Sequence, residues 1–345
     1  MDTIVAKITN DSLTDKKIYE QAGKILREGG LVAFPTETVY GLGADALDEE
    51  ASAKIYAAKG RPSDNPLIVH ISDLDMIKDI ASEVPALAMK CAERFWPGPL
   101  TMIMPKSDRI PLVTSGGLDT VGIRFPSDRC AHRIIEKCGF PLAAPSANLS
   151  GSPSPTNAKR VFEDMNGRIA AIVDGGESEV GVESTVIAFE NDGIRILRPG
   201  KISYEDLKTI TDKVFVDHGV LERVAEGEIV RSPGMKYKHY APKAEVVLLD
   251  GSAEQFREYV RANSTDGCFC LVFSDKESVE GVPYLTYGES ADEQAHWLFE
   301  RLRQFDGMGA KKVFAHCPSQ NGVGLAVYNR ILRSAGFNVI ELGKN

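Results

Sequence analysis

A chain of 345 residues, 43% hydrophobic and 26% charged, has an ordinary folded composition and is long enough for about two domains. Its formal net charge of −9 argues against a broad, non-specific hold on nucleic acid, which needs many cationic contacts to phosphate. A compact cationic pocket around one small anion stays open.

The opening Met1-Asp2-Thr3-Ile4-Val5-Ala6-Lys7 lacks the basic-then-apolar pattern of a secretory signal. No apolar run reaches the roughly 20 residues of a membrane span. The expectation is a cytoplasmic protein with no membrane partner. The six cysteines (Cys91, Cys130, Cys138, Cys268, Cys270, Cys317) form no C-x-x-C pair and no zinc-ligand spacing. They read as buried structural thiols, with Cys268 and Cys270 on one face of a strand.

In chain order, Asp15–Glu28 reads as an amphipathic helix closed by Gly29-Gly30, and Leu31–Phe34 as a short buried strand stopped by Pro35. Glu49–Ala58 follows as a helix with acids in its first turn. Strands are expected at Asn65–Ile71, Leu100–Met104, Thr120–Phe125, Leu142–Ser146, Ala170–Asp174, Ser184–Phe189 and Ile194–Leu197, with a helix at Val84–Phe95. Several strands succeed one another without a helix, which favours a mixed sheet over a strict βαβ repeat. Near residue 230 the texture becomes Pro/Gly-punctuated, basic and aromatic, unlike an inert linker. Beyond it, strands at Val246–Leu249, Cys268–Phe273 and Val313–Ala315 alternate with helices at Ala253–Ala262, Asp292–Phe305 and Leu325–Ala335. That is a smaller, Rossmann-like three-layer α/β domain with a mostly parallel sheet. Its first turn carries no G-x-G-x-x-G, so no dinucleotide site is read there. The organisation predicted is an N-terminal domain at 1–212, a connector at 213–244 containing a hinge at 231–242, and a C-terminal domain at 245–345.

Lys59-Gly60-Arg61-Pro62 followed by Asn65-Pro66-Leu67-Ile68-Val69-His70 strings two cations, an amide and an imidazole along a loop that opens into an apolar strand. Gly and Pro alone would make the turn, so the cations point to a polyanion such as a nucleoside triphosphate. In Thr120–Phe125, Val121, Ile123 and Phe125 share one face and Thr120, Gly122 and Arg124 the other. That polar face is either the solvated side of a half-buried sheet or a place where a ligand approaches the backbone at Gly122. Arg198 keeps the apolar parity of Ile194 and Ile196 and needs an anion, a carboxylate or a phosphate. Pro145-Ser146-Ala147-Asn148-Leu149-Ser150-Gly151 and Ser152-Pro153-Ser154-Pro155 are small, hydroxyl-bearing loops, read either as turn clusters or as a ligand floor. Gly181-Val182-Glu183-Ser184-Thr185 is equally open, and His70 alone reads as a satisfied structural residue. There is neither a P-loop nor a Gly-x-Ser-x-Gly elbow.

Taken together, Pro35-Thr36-Glu37-Thr38-Val39-Tyr40-Gly41-Leu42, the Lys59–Leu67 stretch, Trp96-Pro97-Gly98-Pro99-Leu100-Thr101, Val121–Pro126, Pro145–Gly151 and Glu183-Ser184-Thr185-Val186 resemble the YrdC family. Ser232–Pro242 resembles the hinge of its two-domain members, so the likeness spans almost the whole chain. The resemblance implies a YrdC-like twisted, open mixed sheet. It also implies a reaction in which L-threonine, bicarbonate or CO2 and ATP give threonylcarbamoyl-AMP and pyrophosphate. Mg²⁺ would accompany ATP. The product would feed a downstream tRNA threonylcarbamoyl transferase, with at most weak tRNA binding by this chain. By the same resemblance, Thr38, His70, Arg124, Ala144 and Ser184 hold threonine. Lys59, Arg61, Asn65, Thr120, Ser146, Ser154, Arg198 and Tyr237 hold ATP, with Lys59 and Arg61 catalytic. The alternatives are an RNA-binding module without turnover, a carbamoyl-phosphate-using maturation enzyme, and a sugar-phosphate lyase on a related fold.

Overall fold

Helix starts and stops follow the local side-chain chemistry. The Asp11 carboxylate accepts from the Leu13 and Thr14 amides and starts the helix Ser12–Arg27. Asp48 does the same for Glu49–Lys59, which ends on Gly60 in the left-handed conformation. The computed structural model describes residues 2–9, 11–223 and 240–343. These divide into two compact units. The first runs to residue 223 without Gly151–Pro153 and Val180–Val182, and those two short segments join residues 240–343 in the second.

The first unit is built on β1 (Ile4–Lys7), β2 (Val32–Phe34), β3 (Gly41–Asp45), β4 (Ile68–His70), β5 (Leu100–Pro105), β6 (Thr120–Arg124), β7 (Leu142–Ala143), β8 (Ala171–Asp174), β9 (Thr185–Glu190), β10 (Gly193–Arg198) and β11 (Val214–Val216). They pair in the order β1-β8-β2-β3-β7-β4-β6-β5-β9-β10-β11. The sheet is mixed, as the strand succession predicted: β4 is parallel to β6 and antiparallel to β7, while β5 is antiparallel to β6 and parallel to β9. One face of its central strands sends Val69, Met102, Ile123 and Ile187 into the main apolar core. On the opposite face β2, β7 and β8 send Val32, Phe34, Leu142, Ala171 and Val173 into a second apolar core, while β4, β9 and β10 contribute a smaller cluster, Ile68, Val186, Ala188 and Leu197, beside buried polar groups.

Two expected strands are shorter than their apolar runs: β4 starts after Pro66, and β7 stops before Pro145, because proline cannot donate to a ladder. The strand β3 was not expected from its Gly-rich sequence. Its glycine has a steric reason, since a Cβ on Gly43 would sit 2.6 Å from Phe34 Cε1. Arg198 corrects a sequence reading. The ladder slips between Ile196 and Arg198, so Arg198 pairs with Val186 while Ile196 pairs with Ile187. This bulge turns Arg198 away from the core face of Ile194 and Ile196.

In the second unit β12 (Glu245–Asp250), β13 (Cys268–Val272), β14 (Tyr284–Thr286), β15 (Lys312–His316) and β16 (Val339–Glu341) form a five-stranded, wholly parallel sheet in the order β14-β13-β15-β12-β16. Helices Ala253–Asn263, Ala291–Gly307 and Val323–Ser334 connect them, giving the Rossmann-like arrangement expected. All six cysteines are free thiols and five are buried.

At the carboxyl end of β15, His316 is sandwiched by Phe256 and Phe273. Its Nδ1 faces Glu277 Oε2 at 3.0 Å and its Nε2 faces the Gly251 carbonyl at 2.9 Å, so both nitrogens carry protons. Burial opposes this charge, but the Glu277 hydrogen bond wins and raises the imidazole pKa above the usual 6.5. Burial pushes the Glu277 carboxyl up, and the His316 bond brings it below 4.5. His316 therefore stabilises fully below pH 6.5 and loses its contribution as pH rises through the raised value. Glu277 stabilises fully above pH 4.5 and loses it as pH falls. Thermal melts of the full chain should show stability falling as pH rises above 6.5. Glu277→Gln should flatten that decline; an unchanged pH profile in the variant would refute the pair.

Candidate active site

Residues paired across a ladder point to the same face, so register alone assembles a row. His70 of β4 pairs with Arg124 of β6, Arg124 with Thr101 of β5, Thr101 with Val186 of β9, and Val186 with Arg198 of β10. Ser184, two residues before Val186, joins the same face. The side chains confirm the row: Ser184 Oγ lies 2.8 Å from Thr101 Oγ1, and Arg198 donates to the Ser184 hydroxyl and carbonyl at 3.1 Å each. Gly122 sits within it, where a Cβ would come 3.2 Å from Thr101 Cγ2. Arg124 is only 4% exposed, so this is not the solvated side of a half-buried sheet.

The connector between β2 and β3 closes one side of the row. Thr36 Oγ1 donates to the Val39 carbonyl at 2.7 Å and lies 2.8 Å from Thr38 Oγ1. Glu37 pairs with Arg124, its Oε2 2.8 Å from Nη2. His70 Nδ1 faces the Ile68 carbonyl at 3.2 Å, which leaves Nε2 as the acceptor. Burial first, and then the Arg124 charge, hold the His70 pKa down to about 3, so the ring is neutral at physiological pH.

The loop following β7 supplies another wall. The buried Lys59 ammonium donates to the Ser146 carbonyl and, at 2.7 Å, to the Asn148 carbonyl, while Ser150 N–H bonds the Lys59 carbonyl. Lys59 thereby ties the end of its helix to this loop. Arg61 folds back on Asn65, donating to its amide oxygen at 2.6 Å and its carbonyl at 3.2 Å. Ser154 Oγ donates to Glu183 Oε1, and both residues are buried. The Ala144 amide is taken by the Ile68 carbonyl at 2.9 Å.

Of the residues predicted, Thr38, His70, Arg124 and Ala144 thus lie about one cluster, and Ser184 is linked to Arg198. Lys59 and Ser146 meet directly, as do Arg61 and Asn65. Thr120 begins the strand that Arg124 ends. Tyr237 and most of the 231–242 hinge lie outside the described residues. Sequence reasoning assigned no role to Glu37, Thr36, Thr101, Asn148 or Glu183, although each stands inside a motif it had singled out. Strand parity alone was a usable signal for Thr101.

A mixed α/β sheet with buried cations and hydroxyls gathered on one face defines an α/β enzyme site for a small polar substrate. Comparison with known proteins narrows this class. The Sua5/YciO/YrdC family model, described as "Telomere recombination", matches residues 24–200. A second, described as "Threonylcarbamoyl-AMP synthase, C-terminal domain", matches residues 202–336. Threonylcarbamoyl-AMP synthase of Pyrococcus abyssi is 42% identical over 99% of this chain and 100% of its own length. That of Bacillus subtilis is 43% identical over 97% of each chain. The solved structure of P. abyssi Sua5 complexed with L-threonine superimposes with a TM-score of 0.92 at 40% identity, covering 99% of this chain and 100% of that one. The chain belongs to the two-domain Sua5/YrdC family of threonylcarbamoyl-AMP synthases, enzymes that use ATP to transfer an adenylyl group in tRNA threonylcarbamoyladenosine synthesis.

Proposed function

We propose that the row from His70 to Arg198 seats L-threonine beside the phosphates of ATP and makes threonylcarbamoyl-AMP there. The observation that carries this is Arg124, a buried guanidinium whose Nε has no hydrogen-bond partner. A bidentate grip on the threonine carboxylate suits it. Neutral His70 offers an acceptor to the threonine hydroxyl, with Thr38, Ser184 and the backbone at Ala144 around it. Arg61, Asn65, Thr120, Ser146, Ser154 and Arg198, with Tyr237, take the nucleotide. Lys59 acts by shaping the loop at Ser146 and Asn148 as well as by its charge.

The threonine amine, once deprotonated, captures bicarbonate or CO2. The resulting carbamate oxygen attacks the α-phosphorus of ATP and pyrophosphate leaves in line. Catalysis is positioning and electrostatics, with no covalent enzyme intermediate. Among the described residues no group of three or more His, Cys, Asp or Glu could hold a metal. Mg²⁺ accompanies ATP as part of the substrate, held largely by phosphates and water. The product passes to a tRNA-modifying transferase in the cytoplasm, and a net charge of −9 fits weak direct contact with tRNA. Among the described residues no helix is long and apolar enough to cross a membrane.

The test is pyrophosphate release from ATP with Mg²⁺ and bicarbonate, with and without L-threonine. Threonine-dependent release, with serine a poorer substrate, is the expected result. No release, together with salt-sensitive tRNA binding, would favour the RNA-binding alternative. Arg61→Ala should lose about 1.5–3 kcal/mol of transition-state binding, roughly 10- to 100-fold in rate. Wild-type turnover in that variant would remove Arg61 from the site.

A further inference from the structure

Three buried polar atoms in one cluster lack a hydrogen-bond partner: Glu37 Oε1, Glu37 Oε2 and Arg124 Nε. Glu37 and Arg124 are 6% and 4% exposed, so water does not readily serve them. Their 2.8 Å ion pair brings opposite charges together without aligning a hydrogen bond. Leaving such groups unsatisfied costs about 1–3 kcal/mol each. The cluster thus presents an unused cationic donor beside unused anionic acceptors, and a zwitterion supplies the complement of both.

The charges facing Glu37 agree. Arg124 at the end of β6 is the cation, and Asp128, which caps the helix Arg129–Cys138, is a second acid within electrostatic reach of Glu37. His70 from β4 is neutral. Two carboxyl groups and one guanidinium, joined by a substrate carboxylate, leave more acidic groups than cations in the cluster, which favours a positive charge there.

We propose that Glu37 holds the ammonium of the amino-acid substrate and takes the proton it must lose. This rests on the threonine reading above. The balance is simple: R–NH3⁺ gives one proton to the Glu37 carboxylate, the free amine attacks bicarbonate carbon, and water leaves as the carbamate forms. One proton is released per turnover, and Glu37 passes it to solvent when product departs.

Binding to the wild-type chain tests the first half without any substitution. L-Threonine and the hydroxy acid with a hydroxyl in place of its amine are titrated by calorimetry. The hydroxy acid should bind roughly 10- to 100-fold more weakly, the range of a charge-assisted hydrogen bond. Equal affinity would overturn the proposal. Glu37→Gln tests the proton. Its threonine-dependent kcat should fall on the order of 100-fold near pH 7, as for a lost general base. It should recover towards pH 9 as the free amine of threonine increases. A loss that is flat with pH, or no loss, would refute Glu37 as the acceptor. If this variant does not fold, the wild-type titration still decides. Absence of threonine-dependent release by the wild type would instead remove the reading on which the proposal stands.

Discussion

Arg124→Ala is expected to destabilise the protein by about 3–5 kcal/mol and to abolish threonine-dependent turnover, the first because it strands a buried carboxylate. Glu37 is only 6% exposed, and no other ion pair with it is seen among the described residues. A loss of that size is a large part of the roughly 5–15 kcal/mol that holds a domain together. The decisive comparison is Glu37→Ala/Arg124→Ala. Removing both charges leaves a cavity but no unpaired ion, so the double variant should be more stable than Arg124→Ala alone. It should still be inactive. Chemical denaturation of the four proteins in the cycle measures this coupling. Additive losses would mean that the two residues do not depend on each other, and would leave Glu37 without a structural reason to be buried there.

How much of this was legible in the sequence varies with how local the information is. Helix ends were readable because a cap acts within three residues, as Asp48 and Gly60 illustrate. The helix Arg129–Cys138 was equally local, with Cys130, Ala131, Ile134, Ile135 and Cys138 buried at helical spacing, and was passed over amid its charges. The two faces of β6 followed from period-two alternation, and Val121 and Ile123 do enter the core. That Arg124 stands beside His70 and Thr101 could not follow, because it depends on which strands pair and in what register. Arg198 marks the limit most clearly: one slipped residue after Ile196 reverses its face, and nothing in Ile194–Arg198 announces a bulge. Glu37 was hidden for a related reason. Between two threonines in a connector it has no periodicity to read, and its partner lies 87 positions away along the chain (124 − 37). The edge strands β1, β11, β14 and β16 were missed because strands of three or four residues carry too little alternation to register.

Gly200→Ala should damage the site without touching any side chain in it. A Cβ on Gly200 would lie 2.3 Å from Thr185 N and 2.7 Å from the Ser184 carbonyl carbon. Atoms of that kind do not approach a Cβ within about 3 Å, and both belong to backbone rather than to a side chain that could swing aside. The start of β9 therefore has to shift by several tenths of an ångström. It is pinned there by the Thr185 amide on the Pro99 carbonyl at 3.0 Å and the Thr185 hydroxyl on the Ile202 carbonyl at 2.8 Å. Ser184 moves with it, against Thr101 on one side and Arg198 on the other. Misplacement on this scale lowers turnover by about 100-fold where catalysis is positioning, at a stability cost of about 1–3 kcal/mol. Gly193→Ala is the matched control. Its Cβ would meet the Lys213 carbonyl oxygen at 2.6 Å, at the other end of β10. It should cost similar stability with little loss of turnover. If Gly193→Ala and Gly200→Ala lose activity in the same proportion, the loss reflects general destabilisation, and the Ser184–Arg198 contact is not what places the reacting groups.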